Sequence, residues 1–134
     1  QYPAEDIAGM TLDRAKAIYR ADYWDPLRLD EVALSMIALE IFDTAVNMGV
    51  RQATLIAQRA VNFLGENVPE TGHFGDLTLA AVNRQGAKDP GILIKVLNCV
   101  QFMRYMEIVK ANPSQHKFAR GWMKRIQLSP TQEA

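Results

Sequence analysis

Apolar residues recur at three- and four-residue spacing along most of the chain, and polar turn residues interrupt them at regular intervals. Leu12, Ala15, Ile18 and Tyr19 predict a short first helix, capped by Thr11 and running to about Tyr23, with Pro26 marking its end. Asp30 is the expected cap of a second helix over residues 31–48. Val32, Met36, Ile37 and Ile41 make that helix apolar almost all round, which predicts a central position. Gly49 permits the backbone turn that closes it. A third helix, over 51–64, carries the stripe Ala53, Ile56, Ala57, Ala60, Val61 and Leu64. Residues 65–72 are turn-rich, and Asp76 starts a fourth helix that breaks across 86–91. A fifth helix spans 92–110 and ends at Asn112-Pro113, and Ser114 is the expected cap of a last helix over 115–126. Residues 1–9 read as an extended lead-in and 128–134 as a frayed tail. With no strand alternation and no repeat, the expected class is all-α, with about six helices.

Composition narrows the picture. The 134 residues suit one domain, and 49% hydrophobic with 22% charged residues is ordinary for a globular core. A formal net charge of zero supplies no global field for nucleic acid or acidic lipid, so neither is an expected partner. The local basic run Lys117, Arg120, Lys124 and Arg125 reads as a solvated helix face or as a surface that meets an anionic polymer. Cys99 is the single cysteine, which excludes an internal disulfide; its apolar neighbours predict an inert core residue. His73 and His116 lie far apart without nearby ligands, so no metal or other cofactor is expected. No segment reaches the roughly 18 apolar residues of a membrane span, and no signal peptide is visible. A start at Gln1 rather than methionine is the expected mark of a fragment or a processed form.

The chemistry the sequence offers is that of carboxylates. Phosphate loops, nucleophile elbows and paired metal ligands are absent. Asp43 and Asn47 stand four residues apart on an otherwise apolar helix, which stacks them on one face one turn apart. Such a pair either bonds within the fold or contacts a polar ligand. Glu40, one turn away, shares the face if it points inward. Tyr23-Trp24-Asp25-Pro26 is a second cluster: its rings plug a corner of the core or stack on a sugar. Trp122 reads as packing, and Met36, Met103 and Met106 as core filler.

These segments also resemble a known family. Thr11-Leu12-Asp13-Arg14-Ala15-Lys16-Ala17-Ile18-Tyr19 and Tyr23-Trp24-Asp25 resemble the second part of the glycoside hydrolase family 108 domain. Phe42-Asp43-Thr44-Ala45-Val46-Asn47-Met48-Gly49 and Ala57-Gln58-Arg59-Ala60 resemble its junction with a predicted peptidoglycan-binding region. Phe74-Gly75-Asp76-Leu77-Thr78 and Phe118-Ala119-Arg120-Gly121-Trp122 resemble that region's Gly-x-x-Thr helix start and its closing motif.

The resemblance implies a lysozyme-like helical fold in two parts packed as one unit, residues 1–48 and 49–134. It implies N-acetylmuramidase chemistry, the hydrolysis of the β-1,4 bond between N-acetylmuramic acid and N-acetylglucosamine in peptidoglycan. Family members are phage endolysins and secretion-linked muramidases, made in the cytoplasm and acting on the cell wall. Asp43, Asn47, Tyr23, Trp24 and Gln58 would then contact the glycan strand. The family's catalytic glutamate sits in a Glu-Gly-Gly-Tyr motif, and none of the seven glutamates here precedes Gly-Gly. The expectation is a chain that is inactive unless another segment supplies the acid, because binding residues do not replace general acid catalysis. Surface uncovered by a missing segment would invite self-association. A non-catalytic peptidoglycan-binding module is the alternative.

Overall fold

A computed structural model of the chain describes residues 11–126, and the expectations for 1–9 and 128–134 lie outside that range. Among the described residues the fold is all-α, with six α-helices and no strand. They are α1 (Leu12–Tyr19), α2 (Ser35–Met48), α3 (Val50–Phe63), α4 (Asp76–Lys88), α5 (Pro90–Ala111) and α6 (Ala119–Met123). No helix of this set is long and apolar enough to cross a membrane.

Helix α1 starts where its cap predicts, with the Thr11 side chain accepting from Arg14 N at 3.1 Å. It does not stop at proline. The chain continues through a π-helical turn (Arg20–Trp24) into a 3-10 turn (Asp25–Leu27) that holds Pro26 in its first turn, where a missing N–H costs nothing. Asp30 does not cap α2. Its carboxylate accepts instead from Trp24 Nε1 and Arg20 Nη1, each at 2.9 Å, and α2 begins at Ser35. Asn83 holds the segment between, accepting from Ala33 N at 2.9 Å and donating to Glu31 O at 3.0 Å.

The central helix is α3, which packs against α2, α4 and α5. Ala53, Ala57 and Ala60 are fully buried and let its neighbours approach closely, while Ile56 and Val61 fill the gaps. Helix α2 is not the central one and is buried on one side only: Ile37, Ala38, Ile41 and Ala45 are buried, while the apolar Leu39 is 56% exposed. The expected break at 86–91 shrinks to one residue, Asp89, which ends α4 and caps α5 by accepting from Ile92 N at 3.1 Å. Gly86 stays helical because α4 crosses close to α2 there; a Cβ would lie 2.7 Å from Ile37 Cδ1. The last predicted helix is a 3-10 stretch (Pro113–Phe118) followed by the short α6, and Ser114 Oγ donates to Asn112 Oδ1 instead of capping it.

Three packing expectations on α5 are corrected. Cys99 is exposed, and so are Met103 and Met106, at 58% and 56%. The buried positions of this helix are Leu93, Ile94, Leu97, Asn98, Gln101 and Tyr105. Its apolar residues spread round the helix, so composition alone does not tell which side faces inward.

Gly49 alone separates α2 from α3, with φ +94° and ψ 157°. Only glycine adopts that conformation without strain, although nothing lies within 4 Å of a Cβ built there. Gly49→Ala is therefore expected to lose about 1–3 kcal/mol of stability through backbone strain alone, measured as a lower urea midpoint with unchanged m-value.

Candidate functional site

The five residues singled out by sequence fall in three places. Tyr23 and Trp24 join an aromatic cluster between α1 and α2. Trp24 meets Phe42 edge-on at 5.5 Å, Tyr19 meets Phe42 at 6.4 Å and Tyr23 at 5.8 Å. The Arg20 guanidinium sits over the Trp24 ring at 5.6 Å. Lys16, Tyr19, Arg20, Trp24 and Phe42 together line an open groove of about 440 Å³. The cluster thus packs and lines a groove at once. Sequence reasoning missed Tyr19, Lys16 and Arg20 as groove residues, although the 16, 19, 20 spacing of a helical face was there to read.

Asp43 and Asn47 share one face of α2, as their spacing predicts, and that face looks toward α5 and the C-terminal segment. Asp43 is exposed at its edge. Its partial cover raises its carboxyl above the usual range, and the Arg125 charge pulls the other way. Asn47 lies deeper, in a pocket with Gln52, Arg104, Tyr105 and Trp122, and its Nδ2 is buried without a hydrogen-bond partner. Neither residue is a satisfied internal bond.

Glu40 does turn inward. Burial pushes its carboxyl up to about 7, and the nearby Asp43 charge adds to the rise. Asn98 on α5 opposes it, yet forms no hydrogen bond of regular geometry; both its side-chain polar atoms are fully buried and unpartnered.

Gln58 is only 1% exposed and its amide is occupied within the protein. It donates to Thr78 Oγ1 at 3.0 Å, His73 O at 3.1 Å and Thr71 Oγ1 at 3.3 Å, and accepts from Gly72 N at 3.1 Å. These bonds hold the 65–75 loop on α3. Asn62 extends the clamp, exchanging two 2.8 Å bonds with the Val68 backbone. Glu66 completes it: the Arg84 guanidinium and then the Gln85 amide pull its carboxyl down to about 2.

Two outcomes follow from this geometry. Gln58→Ala is expected to cost about 2–4 kcal/mol, because it leaves a cavity and strands its partners; thermal and urea unfolding read this directly. For Glu40 the folded value of about 7 lies above the ordinary 4.5, so the folded state holds the extra proton between those values. Its contribution to stability is present below pH 4.5 and is lost as pH rises toward 7. Glu40→Gln is expected to flatten that fall and to be more stable than the parent at alkaline pH by about 1–3 kcal/mol, read from urea unfolding at pH 5 and pH 8.

Comparison with known proteins supplies the context for these clefts. Residues 1–49 match the family model described as Glycosyl hydrolase 108. Residues 52–127 match the one described as Predicted Peptidoglycan domain. The structure of Brucella abortus SagA is similar, with 25% sequence identity, a TM-score of 0.69 and coverage of 91% of this chain. The match spans 64% of the SagA chain. No curated protein matches the sequence. The second match alone takes in more than half of the residues, from α3 through α6, and the first accounts for the groove and the Asp43 face; the chain belongs to the predicted peptidoglycan domain family, joined here to a glycosyl hydrolase 108 segment.

Proposed function

We propose that this chain is the substrate-holding part of a peptidoglycan-degrading N-acetylmuramidase acting at the bacterial cell wall. The observation that carries the reading is the groove of Lys16, Tyr19, Arg20, Trp24 and Phe42 within the segment that matches glycosyl hydrolase 108. The exposed Tyr19 ring suits the apolar face of a sugar ring, and Lys16 suits the carboxylates that peptidoglycan carries, Arg20 being already paired with Asp30. Asp43 and Asn47 on the adjacent face of α2 would contact hydroxyl and acetamido groups of the strand. Tyr23 would support Tyr19, and Gln58 would act indirectly, through the loop it holds.

The general acid of this reading is not among the glutamates of these residues. Glycoside hydrolysis requires a carboxylic acid to protonate the leaving oxygen. Burial raises the Glu40 carboxyl to about 7, but it lines neither the groove nor the Asn47 pocket. A Glu-Gly-Gly motif occurs nowhere in the sequence. The second reading, a peptidoglycan-binding module without catalysis, is favoured by the family match over residues 52–127.

The test is to incubate purified peptidoglycan with the 134-residue chain and with the full gene product. Both are expected to co-sediment with it, and only the full product is expected to release reducing ends. Cleavage by the 134-residue chain itself would overturn the assignment of the acid to other residues. Sedimentation without cleavage by the full product would favour the binding module, and absence of sedimentation would reject both readings. Tyr19→Ala is expected to weaken glycan binding about tenfold while changing stability by less than about 1 kcal/mol, since this ring is 47% exposed.

A further inference from the structure

The junction of α2 and α3 meets the end of α5 and α6 in a pocket of about 230 Å³, lined by Asn47, Met48, Gln52, Arg104, Tyr105 and Trp122. Three polar atoms of these residues are buried and unpartnered: Asn47 Nδ2, Gln52 Oε1 and Arg104 Nε. Buried polar groups are nearly always bonded in folded proteins, so three orphans around one pocket call for a reason. They come from three different helices, α2, α3 and α5. Their side chains line one pocket, and the three atoms are two donors and one acceptor. The Arg104 guanidinium is only loosely engaged, with Nη1 3.4 Å from Glu107 Oε1, which leaves Nε free. One wall is flat and aromatic, since Tyr105 and Trp122 stack at 4.6 Å with 8° between their planes.

We propose that this pocket binds an acylated amine next to a carboxylate. The amine N–H would donate to Gln52 Oε1, the acyl oxygen would accept from Asn47 Nδ2, and the carboxylate would accept from Arg104 Nε. The apolar part of the ligand lies against Trp122 and Met48. In peptidoglycan this chemistry has two sources, the end of a stem peptide and N-acetylmuramic acid itself. The source rests on the peptidoglycan reading above, whereas the ligand class rests on the pocket alone.

The test is an NMR titration of the 15N-labelled chain with N-acetyl-D-alanyl-D-alanine, with the C-terminal amide of that dipeptide, and with N-acetylmuramic acid. Saturable shifts of the Trp122 indole and the Asn47 and Gln52 amides are expected with at least one of the two acids, and whichever binds names the source. Amidating the dipeptide is expected to weaken its binding at least tenfold if the peptide is the source. Arg104→Gln is expected to weaken the bound acid at least tenfold, and Arg104→Lys, which keeps the charge without the fork, to remain well below the parent. Gln52→Met gives a variant independent of that charge. It removes an unpartnered acceptor, so it is expected to keep or raise the melting temperature while weakening the ligand. A melting temperature that falls with unchanged binding would overturn the proposal. So would absence of shifts with both acids, or shifts confined to Tyr19 and Trp24. Peptide-free glycan strands, sedimented with the same samples, separate the two readings. Their retention when both acids fail rejects the pocket alone, and their loss when an acid binds rejects the glycan groove alone.

Discussion

The arrangement turns on a single backbone constraint at Gly49. Two helices of 14 residues each are joined by that one residue, and its conformation is open only to glycine. With no loop to absorb error, the direction of α3 relative to α2 is fixed by two dihedral angles. Everything else is built on that pair. Helices α4 and α5 pack on the faces of α3 that α2 leaves free. Asn47 and Gln52, two and three residues from the joint, face the same pocket because the chain reverses between them.

Around α3 the polar groups divide into two kinds. Toward its C-terminal end, Gln58, Asn62 and the partners of Glu66 form a clamp in which each described bond closes on loop backbone or a facing side chain. A satisfied buried network of this sort stiffens a structure. Toward its N-terminal end, at the Gly49 joint, Gln52 Oε1 is buried and unmatched, as is Asn47 Nδ2 on α2 across the joint. Natural folds keep few such atoms, and those they keep reflect strain, a catalytic role or a water or ion that completes the bonding.

Helical class and most element positions were legible because three- and four-residue spacing is a strong signal in a chain with long helices. The shared face of Asp43 and Asn47 was legible for the same reason. What escaped was register where apolar residues surround a helix. In Leu97-Asn98-Cys99-Val100 the cysteine reads as a core residue; in the fold Asn98 is buried and Cys99 is exposed. Competing partners also escaped. Asp30 has the form of a helix cap, but Arg20 and Trp24 reach it first, a tertiary contact that no local pattern announces. Gly86 reads as a breaker but serves as a close-contact residue between α4 and α2. The Asn47 pocket was half visible, since its α2 member was marked, while Gln52, Arg104 and Trp122 come together only through the Gly49 turn and the return of α5.

Helix α2 gives the groove and the pocket a common ruler. Phe42 lines the groove and Asn47 lines the pocket. Five residues on one helix separate them by about 7.5 Å along its axis and by a little over a third of a turn around it. A straight sugar backbone alone does not fill both, because they lie on different sides of the helix; groups projecting from it have to reach round to Asn47. A branched polymer fills both: sugars in the aromatic groove and a carboxylate-bearing side branch turned toward Arg104 satisfy both geometries at once. The rigid α2–α3 joint would hold the two at constant spacing, so that occupancy of one raises the effective concentration of the other without any conformational change. In this reading a helix with a carboxylate and an amide at its edge is apolar elsewhere because its other task is to keep the two sites in register on the core.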